Sequence, residues 1–249
     1  MQMLKDKVAV ITGGNSGIGK AVAQSFAREG AQVVITGRRA DVVDEAVAEI
    51  GDKAVGVVGD VADPAHHRTL ADSLKERFGG IDIYVANAGM INLADSRTVT
   101  THEFDMHFAV NTRGVFFGVQ AMEPVINDGG NIIVTSSLAA TKVLPEHAVY
   151  AGSKAAIAAF AKNWAIEFKA RKIRVNILSP GPVETAILSK LGVSEVDRPE
   201  FEQHMASLIP IGRLGQPPEI ARAALFLASE AGSFVNGVEL HVDGGMTLS

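Results

Sequence analysis

The stretch Val8-Ala9-Val10-Ile11-Thr12-Gly13-Gly14-Asn15-Ser16-Gly17-Ile18-Gly19 decides the architecture of this chain. An apolar, β-branched run from Val8 to Ile11 reads as a buried strand. Beyond it, Ala21, Val22 and Phe26 recur at helical spacing from a start around Ile18 to Lys20. Between the two, Gly13, Gly17 and Gly19 allow a tight strand-to-helix turn, close approach of backbone to a pyrophosphate, and close packing of helix on strand. The helix N-terminus would face such an anion with free N–H groups. A glycine cluster alone reads as a turn; its strand-loop-helix setting is what favours a nucleotide.

The same alternation repeats outward from this unit. Runs at Val8–Ile11, Gln32–Thr36, Ala54–Val58, Ile81–Ala86, Asn131–Thr135, Arg174–Leu178 and Val235–Val242 give seven strands, with segments such as Val43, Ala46, Val47 and Ile50 patterned as amphipathic helices between them. Ile132-Ile133-Val134 is apolar throughout, which demands cover on both faces of the sheet and hence mainly parallel strands with right-handed crossovers. The expected fold is α/β: a doubly wound, Rossmann-like, mainly parallel seven-stranded sheet with helices on both faces. Two helices read as long, one opening near Thr100 with Glu103 completing a capping box, the other running from about His147 to Ala170. No repeat, low-complexity tract or linker divides residues 1–249, so one domain is expected, with a substrate lid around residues 183–215.

Composition narrows the partners. At 249 residues, 47% hydrophobic and 20% charged, the chain suits one soluble globule with a substantial core. A net charge of -5 offers no basic field for nucleic acid, and no lysine or arginine cluster suggests a membrane surface, so a small molecule is the expected partner. The absence of cysteine excludes disulfides and thiolate chemistry and fits a reducing, cytoplasmic setting. The N-terminal Met-Gln-Met-Leu-Lys-Asp-Lys lacks a signal-type apolar region, and no apolar run approaches the ~18 residues of a membrane span. His66, His67, His102, His107, His204 and His241 show no ligand spacing, so no metal is expected.

Tyr150 and Lys154, in Tyr-Ala-Gly-Ser-Lys, lie at i and i+4 of the second long helix and thirteen residues beyond Ser137. A nearby ammonium favours phenolate. Acid-base work near neutrality needs a tyrosine brought down by roughly 3 pH units from ~10, or ~4 kcal/mol. The plain alternative is a surface helix pair.

Strand ends supply further candidates. After the second strand stands Thr36-Gly37-Arg38-Arg39, where no acid is available for adenosine ribose hydroxyls and two guanidinium groups can pair with a 2′-phosphate. NADP(H) is therefore the expected cofactor, and Gly37→Asp is expected to shift preference towards NAD. The alternative is that both arginines are solvated residues at the start of the next helix. Asp60 and Val61 follow the third strand and Asn87-Ala88-Gly89 the fourth, on the edge where doubly wound sheets bind ligands, though an Asx turn or cap explains an isolated Asp or Asn as well.

Taken together, Thr12-Gly-x-x-x-Gly17-x-Gly19, Asp60, Asn87-Ala88-Gly89 and Tyr150-x-x-x-Lys154 resemble the single-domain branch of the short-chain dehydrogenase/reductase family over essentially the whole chain. The resemblance implies a catalytic group of Asn111, Ser137, Tyr150 and Lys154, with Ser136 as a rival hydroxyl that the spacing disfavours. It implies cofactor contacts from Gly13, Asn15, Ser16, Gly17, Ile18, Gly19, Arg38, Arg39, Asp60, Val61, Asn87, Ala88, Gly89, Tyr150, Lys154, Pro180, Gly181, Val183 and Thr185. Tyr150 would serve as general acid/base, Ser137 as hydrogen-bond donor to the substrate oxygen, Lys154 as ribose ligand and modulator of Tyr150, and Asn111 as anchor of a water reaching Lys154. The implied activity interconverts a ketone and a secondary alcohol in a homotetramer. Met90, Leu138, Val143, Leu144, Ile187, Leu188, Leu191, Phe201 and Met205 suggest an uncharged, hydrophobic substrate, with His147 as a cap, a surface residue or a tuner of the pocket. A 3-oxoacyl-carrier-protein reductase is the enzymatic alternative, disfavoured by the acidic approach Asn127-Asp128-Gly129-Gly130, although Arg171 and Lys172 could in part supply positive charge. The family's enoyl-reducing branch spaces Tyr and Lys differently and lacks the Ser. A catalytically inactive nucleotide-binding regulator would be expected to lack Tyr, Lys or Ser.

Overall fold

The computed structural model describes residues 2–185 and 197–249. Seven strands form one sheet in the order β3-β2-β1-β4-β5-β6-β7: β1 Val8–Thr12, β2 Gln32–Gly37, β3 Ala54–Val58, β4 Ile81–Ala86, β5 Ile126–Thr135, β6 Arg174–Pro180 and β7 Glu239–Val242. Every pairing is parallel, with Val10 opposite Val34 and Tyr84, and Ile133 opposite Val85 and Asn176.

Alternation along each strand divides the interior into two cores. Val10, Val34, Ile132 and Val134 point to one face, covered by α3 (Pro64–Phe78), α5 (Gly114–Met122) and α6 (Ala148–Glu167). Their neighbours Ala9, Ile11, Val33, Ile35 and Ile133 point to the other, covered by α1 (Gly17–Arg28), α2 (Ala40–Ile50) and α8 (Pro217–Ala228). The strand order reverses between β1 and β4, so the carboxyl ends of these two strands border the crevice where this class of sheet binds ligands.

Several boundaries differ from those read in the sequence. β5 begins at Ile126, because Ile126–Gly130 form a bulged lead-in: Ile81 pairs with Ile126 but Ile83 with Asn131, and Gly129 sits at φ +79°. β7 starts at Glu239 instead of Val235, since Gly237 takes φ +74° and interrupts the extended run. α1 opens at Gly17, just ahead of the predicted start.

The first long helix is capped as expected. Thr100 Oγ1 accepts from Glu103 N–H at 3.2 Å, and Glu103 Oε2 accepts from Thr100 N–H at 2.8 Å. It then runs as α4 (Thr101–His107), a π-helical turn (Phe108–Arg113) and α5. α6 continues as a 3₁₀ turn to Arg171. The excursion expected around 183–215 closes at its base, where Val183 bridges Gly215, Gly215 N–H donates to Pro182 O at 2.9 Å and Glu184 N–H to Gly215 O at 2.9 Å. Within it lies α7 (Arg198–Ser207).

Candidate active site

The turn after β1 is built so that only glycine fits its tightest points. Gly13 has φ +64°, and a side chain there would press on Ala88 Cα at 3.0 Å. At Gly19 a Cβ would lie 2.3 Å from Gly13 O, so the helix rests directly on the loop. Thr12 stitches this turn to the end of β4: its hydroxyl accepts from Asn87 N–H at 2.9 Å and Ala88 N–H at 3.0 Å, while Asn87 Nδ2 donates to Thr12 O at 3.0 Å.

Ser16 caps α1 with extended backbone but makes no side-chain bond to the first turn, and that turn contains no acidic residue. The leading N–H groups are thus left for an anion. Thr185 stands above, 3.5 Å from where a Gly17 side chain would project. The glycine cradle, the uncapped helix start and this overlying residue fit a dinucleotide pyrophosphate, with Asn15, Ile18, Pro180, Gly181 and Val183 in the same turns.

The opposite wall carries the acid-base candidates. Ser137, in the turn after β5, is close enough to the Tyr150 phenol, on the first turn of α6, to act on its ionisation. Burial pushes the Tyr150 hydroxyl above its ordinary value, and Ser137 acts in the other direction. Lys154 is 3% exposed and its Nζ donates to Thr135 O at 2.9 Å; burial brings its pKa down to about 8. Sequence reasoning made Lys154 the group that lowers Tyr150. The ammonium donates to the Thr135 carbonyl, and Ser137 also acts on Tyr150 in the downward direction.

Asn111 is tied to its neighbours through its side chain. It lies fully buried in the π-turn, where Oδ1 accepts from Met90 N–H at 2.8 Å and Nδ2 donates to Met90 O at 2.9 Å and Ser153 Oγ at 3.0 Å. These bonds clamp the segment that follows Asn87-Ala88-Gly89. Gly89 fits between the two walls, since a Cβ there would meet Lys154 Nζ at 3.2 Å and Asn111 Oδ1 at 3.3 Å. The rival Ser136 is buried and donates to Lys154 O at 3.1 Å, a supporting bond.

Other candidates are placed less decisively. Arg38 and Arg39 are exposed at the start of α2, as the solvated alternative had it. The Gly37→Asp test is poorly suited to this corner, because a Cβ on Gly37 would meet Asn15 Cγ at 2.7 Å. Asp60 forms an Asx turn to Ala62 N–H at 2.9 Å, and Val61 O accepts from His67 Nε2 at 2.8 Å. Leu138, Leu144 and Met205 gather into an apolar cluster with Ile209 and Met246, two residues that sequence reasoning missed. Val143 points into solvent at 94% exposure, and Ile187, Leu188 and Leu191 lie outside the described residues. His147 sets its ring edge-on to Tyr150, centroids 6.2 Å apart, with Nδ1 2.6 Å from Pro145 O.

Thr12 and Ser153 are further residues that sequence reasoning left without a role. Ser153 is buried and donates to Tyr150 O at 2.7 Å while accepting from Asn111. Its place one residue before Lys154 is the only sequence signal it carries. Among the described residues no cluster of His, Asp or Glu is arranged to hold a metal, and no helix is long and apolar enough to cross a membrane.

Comparison with known proteins agrees with this arrangement. A family model described as enoyl-(acyl carrier protein) reductase matches residues 13–247. Versicolorin reductase of Emericella nidulans is 38% identical over 253 residues, covering 97% of this chain and 96% of that protein. D-threitol dehydrogenase of Mycolicibacterium smegmatis is 38% identical over 250 residues, covering 98% and 94%. Among solved structures, 3-ketoacyl-(acyl-carrier-protein) reductase from Brucella melitensis complexed with NADH superposes with a TM-score of 0.90 at 34% identity, covering 98% of this chain and 99% of that one. A second, from Serratia marcescens, gives a TM-score of 0.91 at 34% identity and the same coverage.

Proposed function

This chain belongs to the short-chain dehydrogenase/reductase family of nicotinamide-dependent oxidoreductases acting on small molecules, and we propose that it interconverts an uncharged ketone and a secondary alcohol with NADP(H). The observation that carries this reading is Tyr150 with Ser137 acting on its phenol and buried Lys154 one helical turn on, across the crevice from an uncapped, glycine-lined helix start.

Gly13 to Gly19, Asp60, Val61, Asn87 to Gly89, Pro180, Gly181, Val183 and Thr185 would hold the cofactor, with Arg38 and Arg39 on a 2′-phosphate. When bound, the nicotinamide supplies hydride to the carbonyl carbon or takes it from the alcohol. Tyr150 gives its phenolic proton to the carbonyl oxygen in reduction and accepts it back in oxidation. Ser137 donates to the same oxygen and opposes its growing negative charge. Lys154, in a dry setting, stabilises the phenolate that remains and would also bind ribose hydroxyls. Asn111 and Ser153 hold the main chain on either side in register.

The apolar cluster of Leu138, Ile209 and Met246 supports a hydrophobic substrate. Reduction of a carrier-bound 3-oxoacyl group is the second reading, favoured by the Brucella relative. The residues used above to weigh it, Asn127–Gly130 in the bulged lead-in of β5 and Arg171–Lys172 just before β6, lie at the amino edge of a parallel sheet, away from the crevice. Arg171 is moreover paired with Glu123 and Asp128. Among the described residues beyond β4 and β5, Arg97 is paired with Asp95 and Lys142 is bonded to Ser249 O, so neither cation is free for an acidic carrier. A cytoplasmic homotetramer completes the proposal; exposed Phe104, Ile166 and Phe234 are available for subunit contacts.

The test is NADPH and NADH consumption with alkyl and aryl ketones against acetoacetyl thioesters. Turnover of ketones with NADPH is expected. Turnover of thioesters alone would transfer the assignment to the second reading, and cofactor binding without any turnover would make the protein a regulator.

A further inference from the structure

We propose that His107 is a positioning residue for the active site, holding the Met90–Asn92 segment through a neutral imidazole that must accept a backbone hydrogen bond. His107 is 2% exposed at the end of α4, and both ring nitrogens are engaged. Nδ1 lies 2.9 Å from Glu103 O, and Nε2 lies 3.1 Å from the Asn92 amide nitrogen. A carbonyl only accepts and an amide N–H only donates, so Nδ1 carries the proton and Nε2 must be bare.

The same helix face repeats the grip at spacings of four. Glu103 Oε1 accepts from Asn92 Nδ2 at 3.2 Å, His107 takes Asn92 N–H, and Asn111 binds both main-chain groups of Met90. These rungs fasten to one helix the segment that continues directly from Asn87-Ala88-Gly89. From Asn111 the connection runs through Ser153 to the Tyr150 carbonyl. A shift of Asn92 therefore reaches Met90, then the clamp beside Lys154.

Protonation of His107 would place an N–H on Nε2 facing the Asn92 N–H. Two donors would oppose each other at a part-buried contact, so the Asn92 amide would have to leave the ring. The ionisable groups lining the small cavity around the ring are Glu103 from α4 and Glu146 from the segment before α6, with Asn92, Ala94, Val99 and Val149 completing it. Glu146 O also accepts from Ala94 N–H at 3.1 Å, so the same loop has a second tether that does not titrate. Opening is accordingly expected at Asn92 and Met90 rather than at Ala94.

The test is amide hydrogen exchange of the 88–96 segment against pH, with protection corrected for intrinsic rates. In the wild-type protein the Asn92 amide is expected to lose protection by about tenfold or more on acidification, while Ala94 changes little. His107→Gln offers an acceptor and a donor without titrating, and should keep that protection constant over the same range. His107→Phe should lose it at every pH. Pairing with turnover rests on the reduction reading: the acid limb of kcat should follow Asn92 protection in the wild type and vanish in His107→Gln. The exchange measurement is independent of that reading. Constant wild-type protection down to the lowest pH at which the fold persists, or His107→Gln and the wild type losing it in parallel, would overturn the proposal even if one variant failed to fold.

Discussion

The two walls of the crevice face a ligand in opposite conditions. Beyond β4 and β5, Lys154, Asn111 and Ser153 are 3%, 0% and 0% exposed and bonded to the main chain of neighbouring segments. At the end of β2, Arg38 and Arg39 stand in solvent and pair with no side chain among the described residues. One wall is organised before anything binds, so its groups need little reorientation during reaction; the other acquires order only with its ligand. Substitutions on the first should therefore change the chemical step, and on the second the binding of one cofactor.

The largest effect is expected at Tyr150. Tyr150→Phe removes the proton and little else, and should lower kcat by about 10³-fold or more while NADPH affinity, read by fluorescence titration, stays within about twofold. Ser137→Ala should cost about 10²-fold in kcat with KM for NADPH little changed. A rise in that KM instead would mean that the two walls are not separable. On the exposed wall, replacing Arg38 and Arg39 together by Ala should weaken NADPH binding by about tenfold, leave NADH binding unchanged and spare kcat at saturation.

The smallest effect concerns stability without cofactor. Burial lowers Lys154 from 10.5 to about 8, so between these values the unfolded chain holds a proton that the folded chain lacks, and stability rises with pH. The penalty is full below about 8 and is relieved above it. Tyr150, shifted upward, works in the reverse sense only once unfolded tyrosine ionises near ~10, which leaves pH 8 to 10 as the informative window. Denaturant unfolding should show a gain of about 1–2 kcal/mol across it, absent in Lys154→Met. A flat wild-type profile would place Lys154 in wetter surroundings than its burial indicates.

The same contrast explains what could be read from the chain. Parallel pairing and the two helical layers followed from apolar runs such as Ile132-Ile133-Val134, because a strand covered on both faces has few other solutions. Gly13, Gly17 and Gly19 were legible because the backbone they permit is hard to build with other residues. The supporting bonds were not. Nothing in the residue types says that Thr12 joins β1 to Asn87, that Asn111 spends its side chain on Met90, or that the Lys154 ammonium turns to Thr135. Those depend on distant segments meeting and on a π-turn that reorients Asn111, which local pattern does not encode. Edges were blurred for a related reason, since the β5 bulge and the Gly237 turn are fixed by pairing with neighbours.

The central claim is that hydride reaches a carbonyl carbon while Tyr150 protonates its oxygen. Its most direct test uses NADPH deuterated at the transferable position of nicotinamide C4 with any ketone the protein turns over, and locates the label in the product. The account predicts one deuterium on the carbinol carbon of a secondary alcohol. Deuterium on a carbon of a reduced double bond with the carbonyl intact, or product formed without label, would contradict it.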